Sequence, residues 1–160
     1  AEVVAETAPE MIEQAQVFKD IPNVTIKVPC TVEGLKACKA LAAEGFTTNV
    51  TLVFSVAQAI LAAKSDATYV SPFVGRCNDN SFSGVELVGA IAGTFREHFT
   101  RTNVLAASLR DAHQVSRCFA RGAEVVTMPV KVFDSMYKHV LTREGLDLFQ
   151  KDWESIKEVN

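Results

Sequence analysis

The chain predicts an α/β barrel assembled from parallel βα units, and three features of the sequence carry that expectation. Six β-rich segments alternate with six helical ones through short connections, the pattern of parallel crossover units. Parallel strands covered on both faces read as apolar throughout. Here, by contrast, the second faces carry Glu2; Thr25 and Lys27; Asn49 and Thr51; Tyr69, Ser71 and Phe73; and Ser108 and Arg110. A polar set recurring toward the C-terminal halves of parallel strands is what a barrel with a site at its mouth requires. The competing architecture, an open doubly wound sheet, calls for a glycine-rich turn after an early strand, and no G-x-G-x-x-G occurs.

Taken in order, Glu2 to Glu6 reads as a short strand, and Pro9 marks the start of a helix over Glu10 to Phe18 with Met11, Ala15 and Phe18 on one face. In the next strand Val24, Ile26 and Val28 share one face, so Asn23, Thr25 and Lys27 share the other. Pro29, with no N–H, stops the ladder. A mid-strand lysine either snorkels out at a sheet edge or is held inward for its amine. The polar sets on the other strands favour the inward reading. A helix from Val32 to Ala43 ends at Glu44-Gly45, and Thr48 to Phe54 forms a strand before Ser55 caps a helix through Ala63. Thr68 to Val74 is the following strand, and a loop with Arg76, Asn78, Asp79 and Asn80 leads into a helix from Val85 to about Phe95. Val104 to Leu109 with a helix over Ala112 to Ala120, then Val125 to Pro129 with a helix over Val132 to His139, complete the units. Arg143 to Lys157 reads as a terminal helix.

The 160 residues are 48% hydrophobic and 22% charged, enough for one domain over the whole chain with a substantial core. A net charge of −3 gives no electrostatic reason to expect nucleic acid or an anionic membrane as partner. No apolar run reaches the length of a membrane span, and Ala1-Glu2-Val3-Val4 is not a basic segment leading an apolar one, so the expected location is the cytoplasm. Cys30, Cys38, Cys77 and Cys118 form no C-x-x-C and have no histidine at ligand spacing, which predicts free thiols and no metal. His98, His113 and His139 fall on helices or near their ends and are expected at the surface or as caps. No motif calls for a nucleotide or other cofactor.

Four segments together resemble successive motifs of the short transaldolases. They are the Lys27 strand with Thr31-x-Glu33-Gly34; Gly45-Phe46-Thr47-Thr48-Asn49-Val50-Thr51-Leu52-Val53-Phe54-Ser55-x-x-Gln58-Ala59; Val70-Ser71-Pro72-Phe73-Val74-Gly75-Arg76; and Ala106-Ala107-Ser108-Leu109-Arg110. The likeness keeps motif order and spacing from Glu2 to Trp153. It implies a TIM (β/α)8 barrel of the class I aldolase type, in which Glu2 lies on the third family strand, so that only strands three to eight are represented. Two βα units, roughly sixty residues at the usual repeat length of such barrels, would lie outside this chain. With them go the family's first-strand aspartate and the Thr-Thr-Asn-Pro motif of its second strand.

The resemblance implies a chemistry as well. Making and breaking a carbon–carbon bond beside a ketone needs an electron sink, and a neutral lysine amine supplies one as an iminium. Lys27 is the expected Schiff-base residue, desolvated in the barrel so that its amine is nucleophilic. Glu2 and Thr51 match positions that hold a catalytic water. Asn49 and Ser71 match residues that hydrogen-bond the dihydroxyacetone moiety, and Arg76, Ser108 and Arg110 match those that hold the sugar phosphate. For the arginines the alternative is a surface pairing with Asp79 or Asp111; for Glu2 it is a frayed terminus. Related fructose-6-phosphate aldolases tend to carry glutamine and tyrosine where this chain has Glu2 and Phe73, so the implied activity is transfer between sugar phosphates, without cofactor. Leu148, Phe149 and Trp153 are expected to pack on the barrel or, as in short members that form decamers, on a neighbouring subunit; a companion chain supplying the absent strands is the other expected partner. Other readings stay open: a non-catalytic fragment or pseudoenzyme that keeps phosphosugar binding or only an assembly role; a fructose-6-phosphate aldolase; and a Schiff-base aldolase for a deoxyribose phosphate, which would lack the Asn49-x-Thr51 and Ser71-Pro72-Phe73 set.

Overall fold

Strands and helices alternate along the chain in a computed structural model that describes residues 1–157. The strands are β1 (Thr25–Pro29), β2 (Thr47–Val53), β3 (Tyr69–Pro72), β4 (Asn103–Ala106) and β5 (Val125–Val126). The helices among the described residues are α1 (Ala8–Gln16), α2 (Val32–Ala43), α3 (Val56–Lys64), α4 (Val74–Asp79), α5 (Gly84–Glu97), α6 (Ala112–Ala120), α7 (Val130–Ser135) and α8 (Val140–Lys157). The sheet is parallel throughout and its spatial order is β1-β2-β3-β4-β5, the same as the chain order. A doubly wound sheet reverses direction at a switch point; this one never does, as expected of a barrel wall.

Alternation fixes the two faces. Ile26, Val28, Val50, Val70 and Val104 are fully buried and join one core with Ala37 and Leu41 of α2 and Val88 and Ile91 of α5. The opposite face carries Thr25, Lys27, Asn49, Thr51 and Ser71. Helix starts are set locally, as the sequence suggests at Ser55: Thr31, Ser55, Ser83 and Asp111 each accept a backbone N–H two or three residues into the helix that follows. The four cysteines are free thiols, and burial pushes the Cys118 thiol up to about 11. No described helix is long and apolar enough to cross a membrane.

Several element boundaries differ from the sequence reading. The expected strand over Glu2 to Glu6 shrinks to a single parallel bridge between Glu2 and Lys27, held by Lys27 N–H to the Ala1 carbonyl (2.8 Å) and Val3 N–H to the Lys27 carbonyl (3.2 Å). Beyond Val3 the backbone turns away, and Val4 and Ala5 donate instead to the Gln14 side chain of α1. The segment from Val74 to Asp79, read as strand end and loop, is a helix: Val74 and Gly75 N–H groups bond the Ala107 and Ser108 carbonyls, and Cys77 N–H closes the first turn on Phe73. The last strand keeps only Val125 and Val126, because Pro129 begins α7 three residues on. Helix α7 stops at Ser135 rather than His139, and α8 starts at Val140, where the His139 ring accepts the Leu141 N–H at 3.2 Å.

Gly34 is where α2 meets β1 most closely. A Cβ at Gly34 would sit 2.0 Å from the Pro29 carbonyl oxygen, a backbone atom that cannot swing aside. Gly34→Ala is therefore expected to destabilise the fold by about 1–3 kcal/mol through overpacking, in spite of alanine's better helix propensity. A denaturant melt of this variant at or above wild-type stability would show that the contact is not constraining.

Candidate active site

One rung of the sheet gathers polar side chains. In the parallel register Glu2 stands opposite Lys27, Lys27 opposite Asn49, Asn49 opposite Tyr69, and Tyr69 opposite Asn103. Parallel partners in register project to the same face, so five hydrogen-bonding side chains line up across the inner wall. Lys27 Nζ lies 3.2 Å from Glu2 Oε2. The backbone around Glu2 is paired rather than frayed, since Lys27 N–H bonds the Ala1 carbonyl at 2.8 Å and Val3 N–H the Lys27 carbonyl at 3.2 Å.

The expected full desolvation of Lys27 is not observed. Its side chain keeps 32% exposure on the open arc of the described strands, and its ion-pair partner Glu2 is itself 54% exposed. The lysine is thus held by a carboxylate rather than sealed in an apolar pocket.

One step nearer the C-terminal ends the wall is drier. Thr51, opposite Pro29, is buried, and its Oγ1 has no hydrogen-bond partner among the described residues. Buried hydroxyls are normally satisfied, so this oxygen is a place for a water or substrate hydroxyl. Ser71 Oγ donates to Asn49 Oδ1 at 2.8 Å, and both side chains are buried. That bond leaves the Asn49 amide N–H groups available. Regular pairing between β2 and β3 breaks after Val50: the register shifts between Val50 and Val53, and Leu52 within that stretch takes a left-handed φ of 59°. Bulges of this kind end pairing beside functional sites.

Two of the expected phosphate residues, Arg76 and Arg110, already have partners. The Arg76 guanidinium lies over the Phe73 ring at 4.9 Å from its centroid, and Phe73 in turn packs edge-on against Phe54 at 6.0 Å. Arg110 makes a two-pronged pair with Asp79, one prong at 2.5 Å from Nη1 to Oδ1 and the other from Nη2 to Oδ2. For Arg110, then, the surface-pairing alternative is the one observed, with Asp79 as partner; Asp111 caps α6 instead. The Arg110 hydrogen bonds hold the Asp79 carboxyl below the usual carboxylate range, and Asp79 raises the guanidinium in return. Ser108 adopts a left-handed φ of 61°. Its carbonyl, its Oγ and the Arg110 Nε would lie 2.3, 2.8 and 2.7 Å from a Cβ on Gly75, so only glycine lets α4 sit this close to the β4–α6 connection.

Two participants escaped the sequence reading. Asn103 belongs to the rung, and its only signal was the alternation with Leu105 in a strand begun one residue too late. Asp79 was visible only as one alternative surface partner. His98, His113 and His139 are exposed and stand apart, as expected.

Known proteins resemble this chain in sequence and in fold. The family described as "Transaldolase/Fructose-6-phosphate aldolase" matches residues 1–160. Proteins named "Probable transaldolase" from Geobacillus thermodenitrificans, Cereibacter sphaeroides and Caulobacter vibrioides are each 49% identical to it. The alignments cover 96%, 96% and 97% of this chain and 72%, 70% and 72% of those proteins. Among solved structures, a mandelate oxidase variant superposes with a TM-score of 0.62 at 15% identity, covering 79% of this chain and 46% of the other. The chain thus spans just under half of that structure, and the likeness concerns the fold alone. With its consecutive parallel sheet as part of a TIM barrel, the chain belongs to the transaldolase/fructose-6-phosphate aldolase family.

Proposed function

We propose that this chain carries the Schiff-base lysine and the sugar-phosphate residues of a transaldolase. The enzyme moves a dihydroxyacetone unit from a ketose phosphate, fructose 6-phosphate or sedoheptulose 7-phosphate, to an aldose phosphate, erythrose 4-phosphate or glyceraldehyde 3-phosphate. The observation that carries the reading is Lys27, mid-strand on the inner face, with a carboxylate at 3.2 Å and the Asn49–Ser71 pair on the next two strands.

In this reading the deprotonated Lys27 amine adds to the substrate C2 carbonyl, and loss of water leaves an iminium. Removal of a proton from the C4 hydroxyl breaks the C3–C4 bond; its electron pair passes into the iminium, giving an enamine, and the aldose phosphate leaves. The enamine then attacks the acceptor aldehyde, and water returns to C2 to free Lys27. Glu2 serves as proton carrier beside the amine, through a water held by the unsatisfied Thr51 hydroxyl. Asn49 and Ser71 hold the hydroxyls of the retained unit. Phe73 supports Arg76, and Arg76, Ser108 and Arg110 receive the phosphate. Glu2 and Phe73 favour transfer over simple aldol cleavage. The activity belongs to the pentose phosphate pathway in the cytoplasm. Exposed Leu141, Leu148 and Phe149 on α8 suit a contact with a second subunit, while the edges of the open sheet suit a companion segment.

Two measurements test the reading. Borohydride reduction of a preparation that turns over fructose 6-phosphate is expected to leave a reduced three-carbon adduct on Lys27. Mass mapping that finds the adduct on another lysine, or no adduct in an active sample, refutes the assignment. Arg76→Ala and Gly75→Ala are each expected to cost about 1.5–3 kcal/mol in kcat/KM for phosphorylated sugars, by losing a charge-assisted bond or displacing the residues around it. Use of unphosphorylated dihydroxyacetone should be largely spared. Equal losses on both substrates would make these residues structural.

A further inference from the structure

Asp79 presents a problem for a phosphate site. A carboxylate beside the two arginines opposes a dianion, yet it is placed with care. The carboxylate takes both terminal nitrogens of Arg110 across a sequence gap of 31 residues. It projects from α4, the helix that carries Arg76 one turn earlier. That helix has other ties: Gly75 N–H bonds the Ser108 carbonyl at 3.0 Å and Asn78 Oδ1 accepts the Gly84 N–H at 3.0 Å, while the Asn80 side chain closes its own C-terminal end on the Arg76 carbonyl at 2.8 Å. Since α4 is anchored independently, the ion pair is not needed to hold it. Both partners are about half exposed, a setting in which a pair contributes little to stability.

We propose that Asp79 is a built-in competitor for the phosphate: in the free protein its carboxylate occupies the bidentate edge of Arg110, and the incoming phosphate displaces it. This inference rests on the phosphate reading of Arg76, Ser108 and Arg110 given above. Without Asp79 the site would present two uncompensated guanidiniums to a dianion and bind it more tightly. With it, binding is tempered and phosphorylated product leaves more readily. Asp79 is therefore a specificity-setting residue, acting through Arg110 and not on the reacting carbons.

The test is titration of inorganic phosphate into the wild-type protein and into Asp79→Asn, Asp79→Ser and Arg110→Gln, with thermal melts to confirm that each is folded. Both Asp79 variants are expected to bind phosphate about two- to fivefold more tightly, the release of an exposed pair of modest strength. They should also lower KM for fructose 6-phosphate without changing KM for unphosphorylated dihydroxyacetone. Arg110→Gln is expected to bind phosphate more weakly than wild type. If Arg110→Gln loses affinity while the Asp79 variants bind phosphate as wild type does, or more weakly, the competitor role is refuted and the phosphate site stands. If Arg110→Gln binds phosphate like wild type, the phosphate reading itself fails and takes this inference with it.

Discussion

The parallel register between β1 and β2 is the constraint on which the site depends. Because Lys27 pairs with Asn49, and Pro29 with Thr51, the amine and the two polar side chains of β2 face the same way and stand within two rungs of one another. A slip of one residue would turn Lys27 toward the helices and place Val28 inside. The register is defended by the apolar side. Ile26, Val28 and Val50 are wholly buried, and exchanging them for Lys27 and Asn49 would strand an ammonium and an amide in a hydrocarbon core. Packing behind the sheet thus decides the chemistry in front of it.

The amine end and the proposed phosphate end are built on different principles. Around Lys27 the groups come from regular strands, each aimed by alternation and steadied by its neighbour, as Ser71 steadies Asn49. At the phosphate end the groups come from irregular backbone: Ser108 with a left-handed φ, the short helix α4, and Gly75 where no side chain fits. Such conformations persist only where the surroundings over-determine them, and here the Val74 and Gly75 bonds to the β4–α6 connection supply that restraint.

This division also explains what was legible in the chain beforehand. Strand positions such as Lys27, Asn49 and Thr51 follow from period-two alternation, which is a local property, and the polar strand faces with the missing glycine-rich turn speak against the doubly wound alternative. The Arg110–Asp79 pair joins residues far apart in sequence, and no periodicity announces it. The helical character of Val74 to Asp79 is hidden because Pro72, Phe73 and Val74 read as strand, whereas the first N–H groups of the helix are taken up by tertiary bonds to Ala107 and Ser108. The expected deep burial of Lys27 came from a closed barrel; the open wall leaves the amine beside Glu2 and partly in water.

The spatial order of the strands has a kinetic consequence. Since every described strand lies beside the one that precedes it in the chain, each βα unit can dock on a neighbour about twenty to thirty-five residues away. Loop closure over such spans adds only modest entropy, and topologies dominated by near contacts fold faster than those with remote pairings. The wall can therefore assemble as a travelling front, each new strand extending an edge that the previous one has just created.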